Sequence, residues 1–91
     1  MIRIGIVDDE EMMRLKIHQC IKEILKEQEP VEIRSYDCAE AFLEEIQKKV
    51  QFDILFSDIQ MLEMNGLELG KRLQKDMPNL YIIYITAYME Y

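Results

Sequence analysis

Two hydrophobic periodicities alternate along this chain, and no other feature restricts its fold as tightly. Short apolar runs, the mark of strands, take turns with stretches in which apolar residues recur every three or four positions, the mark of helices. Ile2 to Val7 is mostly apolar, with Arg3 and Gly5 inside it, as expected of a strand covered on both faces. From about Glu10 to Gln28 the pattern is helical, with Met13, Ile17, Ile21 and Ile24 on one face and Glu, Lys and Gln opposite. Pro30 prevents that helix from continuing. Val31 to Tyr36 alternates apolar and polar residues and reads as a half-exposed strand.

Asp37 is expected to cap the second helix, with Glu40 completing a capping box, and Phe42, Leu43, Ile46 and Val50 face inward. Phe52 to Phe56 is another apolar run, interrupted only by Asp53 and ending at Ser57-Asp58. A loop over 59–65 leads to a third helix with Leu69, Leu73 and Met77 in register, and Gly70 on it suits close packing against a sheet. Pro78-Asn79 breaks this helix, and Leu80 to Ile85 is a fourth strand without a polar face, followed by Thr86.

The order βαβαβαβ implies an α/β fold with a parallel sheet and right-handed crossovers. The two runs that look buried on both faces, 2–7 and 52–56, belong at the centre, and the amphipathic 31–36 strand suits an edge. The strand order is then 2-1-3-4, and the winding direction reverses between strands 1 and 3. Open parallel sheets bind ligands at the carboxyl ends of the strands where that reversal occurs.

Ninety-one residues make one domain at most, here 1–91, and 49% apolar with 32% charged residues is an ordinary globular balance. No stretch approaches the length of a membrane span, and the first residues run straight into a strand pattern without the look of a signal peptide. A cytoplasmic location and no membrane contact are expected. A net charge of −7 argues against direct nucleic-acid contact by this domain. Cys20 and Cys38 form no Cys-x-x-Cys pair and read as reduced thiols. His18 reads as an ordinary helical histidine, Met12 and Met13 as core fillers, and the run from Glu44 to Lys49 as a solvated helix face.

Strand 1 ends at Asp8-Asp9 and strand 3 at Asp58, so the fold brings three carboxylates to the switch point, and Thr86 adds a hydroxyl at the end of strand 4. Left alone, such a cluster raises at least one pKa. A hard divalent cation such as Mg²⁺, which prefers oxygen ligands, resolves the conflict. A carboxylate beside it can attack a phosphoryl group. The plainer alternative is that Asp8 or Asp9 only caps the helix that follows.

Val7-Asp8-Asp9-Glu10, the stretch from Asp58 to Gly66, and Ile85-Thr86-Ala87 together resemble the successive motifs of the CheY-like response regulator receiver domains. Chemotaxis members of that family are themselves a standard illustration of this flavodoxin-like doubly wound order. The resemblance implies that Asp58 accepts the phosphoryl group and that Asp9, Asp58 and the Gln60 backbone carbonyl bind Mg²⁺, with Asp8 acting mostly through water. It also implies that Thr86 is a switch hydroxyl and that the partner is a sensor histidine kinase. The run Ser57-Asp58-Ile59-Gln60-Met61 and the Ala87-Tyr88 ending are most similar to receivers that precede LytTR-type DNA-binding domains, which implies a DNA-binding output domain in the parent protein. Leu62 stands where the family usually has Pro. The chain ends where the fourth helix is expected, so the fifth strand, the last two helices and the Lys that pairs with the phosphoryl group are expected to be missing.

Two other functions stay open. One is a phosphorylation-defective dimerisation module of the same fold, and the other a Mg²⁺-dependent phosphohydrolase, against which Gln60 stands where an acid/base Asp would be needed. The 80–85 strand is an apolar sheet edge with neither Pro nor Lys, so a homodimer through it is expected.

Overall fold

The computed structural model describes residues 1–25, 30–61 and 63–85. Strand and helix alternate as β1 (Ile2–Val7), α1 (Glu11–Leu25), β2 (Val31–Tyr36), α2 (Ala39–Gln47), β3 (Ile54–Asp58), α3 (Gly66–Asp76) and β4 (Tyr81–Ile85). All pairings are parallel and the sheet order is β2-β1-β3-β4, as the sequence predicts. Gly5 of β1 pairs with Arg34 on one side and Leu55 on the other, and Asp58 of β3 pairs with Ile85 of β4.

Alternation along the two central strands sends side chains to opposite faces, and each face has its own core. On one, Val7 and Leu55 pack with Phe42 of α2, Leu69 and Leu73 of α3, and Phe52. On the other, Ile4 and Ile6 meet Ile21 of α1, with Ile17, Leu25 and Phe56 around them. Phe42 anchors the first core, with its ring centroid 4.8 Å from that of Phe52 and 5.6 Å from that of Tyr36. Helices therefore cover both faces and the winding reverses between β1 and β3, as a doubly wound sheet requires.

Several local expectations need correction. Ile24 does not join the inner face of α1: it is 71% exposed, and Leu25 packs inward in its place. Met12 is likewise 70% exposed and fills no core. Helix α2 starts one residue later than expected, so Cys38 rather than Asp37 is the cap position, in extended conformation and without a side-chain cap bond. Asp53, which interrupts the third apolar run, lies before β3 and accepts the Arg3 N–H at 2.9 Å, locking the strand's entry beside β1. Gly70 does serve close packing, since a Cβ there would overlap the Tyr84 hydroxyl from β4.

The β2 edge is braced by side chains. Glu32 takes hydrogen bonds from Arg3 at 3.0 Å and Arg34 at 2.6 Å, and Arg34 reaches Glu45 of α2 at 2.8 Å. The Tyr36 hydroxyl donates to the same Glu45 at 3.1 Å, and burial followed by the neighbouring carboxylate pushes its pKa up to about 12.

Candidate functional site

The acidic residues converge because β1 and β3 are adjacent, parallel and of matched register. Asp8 follows the last residue of β1, and Asp58 is the last residue of β3. Both are buried, at 2% and 8% exposure, while Asp9 and Glu10 face solvent.

Asp8 is fixed at three points. Its N–H donates to the Tyr36 carbonyl at 3.1 Å, its carboxylate Oδ1 accepts the Glu10 N–H at 2.9 Å, and its carbonyl accepts Nη1 of Arg14 at 2.8 Å. The Glu10 N–H lies one residue ahead of α1, so the Asp8 carboxylate closes the β1–α1 turn rather than capping the helix. The Asp58 carboxylate accepts the Gln60 N–H at 3.2 Å. The next N–H, of Ile59, donates to the Ile85 carbonyl at 3.0 Å, which ties the residue after Asp58 to the end of β4.

The loop after β3 folds back on itself. Gly66 donates its N–H to the Ile59 carbonyl at 3.0 Å, and Glu63 takes a left-handed conformation with φ 63. Asn65 then caps α3: it accepts the Glu68 N–H at 2.9 Å, and the Glu68 side chain accepts the Asn65 N–H at 3.3 Å. This capping box brings the start of α3 against the site. An open depression beside Asp9 is lined by Ile59, Gln60, Met61 and Asn65, and a neighbouring one by Asp37, Cys38, Glu40 and Glu63.

Electrostatics follow from burial and crowding. Burial raises the Asp8 pKa most, and the charges of Asp58, Asp9 and Glu10 add to it against the Glu10 N–H. Burial likewise raises Asp58, reinforced by Asp9 and Glu10 and opposed by the N–H groups of Gln60 and Ile59. Asp8, Asp9 and Glu10 each offer an oxygen, and the three oxygens lie within 4.8 Å of one another. Hard carboxylate donors converging in this way fit a hard divalent cation.

The sequence-predicted Asp8, Asp9 and Asp58 thus meet at one end of the sheet, while Thr86 and Leu62 lie outside the described residues. Gln60 is exposed, and its N–H is the group that touches Asp58. Sequence reasoning named Glu10 only as part of the Val7–Glu10 motif, without a role at the site, and missed Arg14 and the Asn65 cap. The Asn65-x-x-Glu68 spacing could have revealed the last, whereas nothing in the sequence marks Arg14.

Residues 4–91 match the response regulator receiver domain family. An uncharacterised response regulatory protein of Yersinia pestis is 42% identical over 94 residues, covering all of this chain and 36% of that protein. Sensory transduction protein LytT of Bacillus anthracis is 37% identical over 92 residues, again covering all of this chain and 35% of its own length. The chain therefore spans about a third of the curated relatives it matches. Among solved structures, the response regulator TrrA in complex with the histidine kinase ThkA superposes with a TM-score of 0.80 at 30% identity, covering 100% of this chain and 73% of that one. With its acidic switch point on a 2-1-3-4 sheet, the chain belongs to the response regulator receiver domain family.

Proposed function

We propose that Asp58 is a phosphoacceptor and that this domain passes a signal by its own phosphorylation rather than by turning over a substrate. The observation that carries the reading is the Asp58 carboxylate itself. It is buried at the end of a central strand, with its pKa raised by burial and by the acidic turn across from it. Its Oδ1 accepts the Gln60 N–H from the following loop at 3.2 Å.

Asp8, Asp9 and Asp58, with the Gln60 backbone carbonyl, would hold Mg²⁺, and Glu10 adds a fourth carboxylate at the rim. A bound divalent cation neutralises charge on the phosphoryl oxygens during transfer. An Asp58 carboxylate oxygen forms the new P–O bond as the bond from phosphorus to the donor's leaving group breaks. Thr86 supplies a hydroxyl to the acylphosphate product. A sensor histidine kinase is the donor, as the pairing of TrrA with ThkA suggests by analogy. Residues 1–91 belong to one receiver domain, C-terminally incomplete in this chain, of a cytoplasmic protein that also carries a DNA-binding output domain. Among the described residues, no helix is long and apolar enough to cross a membrane.

Exposure to acetyl phosphate with Mg²⁺ and intact-mass measurement tests this. The expected result is one phosphate adduct on the native chain and none on Asp58→Asn. An adduct that persists in Asp58→Asn would mean that another residue is the acceptor, and multiple turnover of the donor would favour a phosphohydrolase.

A second reading concerns association. β4 is the outermost strand of the described sheet and pairs only with β3, and its Tyr81, Ile83 and Tyr84 are 76%, 44% and 41% exposed. An apolar edge with free backbone groups favours strand pairing. The 91-residue chain would form a two-fold dimer through antiparallel β4 strands, leaving two separate acidic pockets.

A further inference from the structure

Arg14 lies in the first turn of α1, and its main-chain N–H donates to the Glu10 carbonyl at 3.1 Å. Its guanidinium could neutralise the acidic turn beside it, yet Nη1 donates to a neutral group, the Asp8 main-chain carbonyl, at 2.8 Å. Among the described residues Arg14 makes no ion pair. A guanidinium–carboxylate contact would be the stronger bond in isolation. It would also occupy the oxygens a cation needs.

The consequence is mechanical. Asp8, Asp9 and Glu10 are consecutive like charges with converging oxygens, and their repulsion pushes the turn open. The Tyr36 carbonyl holds the turn from the strand side, through the Asp8 N–H at 3.1 Å. Arg14 holds it from the helix side. We propose that Arg14 is a positioning residue for divalent-cation binding, clamping the β1–α1 turn through the Asp8 carbonyl so that the carboxylates stay convergent. The proposal rests on reading the acidic pocket as a cation site.

Three roles for Arg14 predict different signs. As a bare positive charge it would repel Mg²⁺, and its removal would tighten binding. As a packing residue its removal would lower the melting temperature in EDTA and leave affinity alone. As a clamp its removal weakens binding, by the roughly 10–100-fold typical of groups that orient metal ligands.

Calorimetric titration of Mg²⁺ into the native chain, Arg14→Met and Arg14→Lys, with melting curves in EDTA alongside, separates them. Arg14→Met is expected to lose about tenfold or more in Mg²⁺ affinity. Arg14→Lys keeps the charge without the planar fork and is expected to lose several-fold. Unchanged or tighter binding by Arg14→Met overturns the proposal. If that variant does not fold, Arg14→Lys decides: a loss supports the clamp and native affinity overturns it. A native chain that takes up no Mg²⁺ would sink the pocket reading itself, an outcome distinct from native binding with an indifferent Arg14→Met.

Discussion

Gly66, the first residue of α3, sits so close to Asp58 that a Cβ added to it would overlap the Asp58 main-chain carbonyl. The obstruction is backbone at the end of a central strand, which cannot rotate away. Gly66→Ala is expected to cost about 1–3 kcal/mol, the usual range for overpacking, and to disturb Asp58 itself. Gly70→Ala meets the Tyr84 hydroxyl and the ring carbon that bears it, the far end of a partly exposed side chain. There the helix-propensity gain of about 1 kcal/mol offsets the contact. Urea unfolding of both variants checks the ranking, and a Gly70→Ala cost equal to that of Gly66→Ala would contradict it.

Mg²⁺ should stabilise the fold. A ligand that binds only the native state adds about 2.7 kcal/mol at a hundred times its dissociation constant. Melting should shift upward between EDTA and millimolar Mg²⁺ in the native chain, and far less in Asp8→Asn or Asp9→Asn. Superimposable curves would remove the case for the site.

Metal-free stability should depend on pH through Asp8 and Asp58. Both have folded pKa values raised from 3.8, so the native state binds more protons than the unfolded chain in the window above that value. Their contribution is fully present below 3.8 and lost as pH rises through the folded values. Asp58→Asn lacks one of these groups and keeps an acceptor for the Gln60 N–H. In EDTA its stability relative to the native chain should therefore rise from pH 4 to pH 7. The opposed trends of Glu32 and Glu45, both lowered by their hydrogen bonds, cancel in that difference. A gap that stays flat across the range would show that Asp58 titrates normally.

Ile83→Lys places a charge on the exposed β4 edge and should shift the chain from dimer to monomer in sedimentation at micromolar concentration. Mg²⁺ binding should be unaffected. A native chain that already sediments as a monomer ends the association reading.

The fold was legible wherever period and burial agreed. Ile4, Ile6 and Leu55 belong to runs that only a doubly covered sheet can bury, and those runs dictated the order β2-β1-β3-β4. Helix faces were less legible near their ends. Ile24 and Leu25 are neighbours of similar hydrophobicity, and residue type alone does not say which one turns inward. The Asp8–Asp58 convergence followed from topology alone. Arg14 was invisible because its partner is a backbone carbonyl, and a main-chain acceptor leaves no trace in residue type. Glu10 was legible as part of a motif but not as a member of the cluster, because its approach to Asp8 depends on how tightly the turn closes.

The bracing of β2 sets how many copies could join one another. A sheet with two receptive margins is a bifunctional monomer, and such units add end to end without limit. Here one margin carries the ladder Arg3–Glu32–Arg34–Glu45, whose charges an incoming strand would have to strip of water, while β4 offers tyrosine and isoleucine. If the chain associates as proposed, only the β4 margin would receive a partner strand, and self-association would stop at two. Because the barrier on the β2 margin is the loss of water by charged groups, which salt screening does not remove, that limit is expected to hold at high ionic strength.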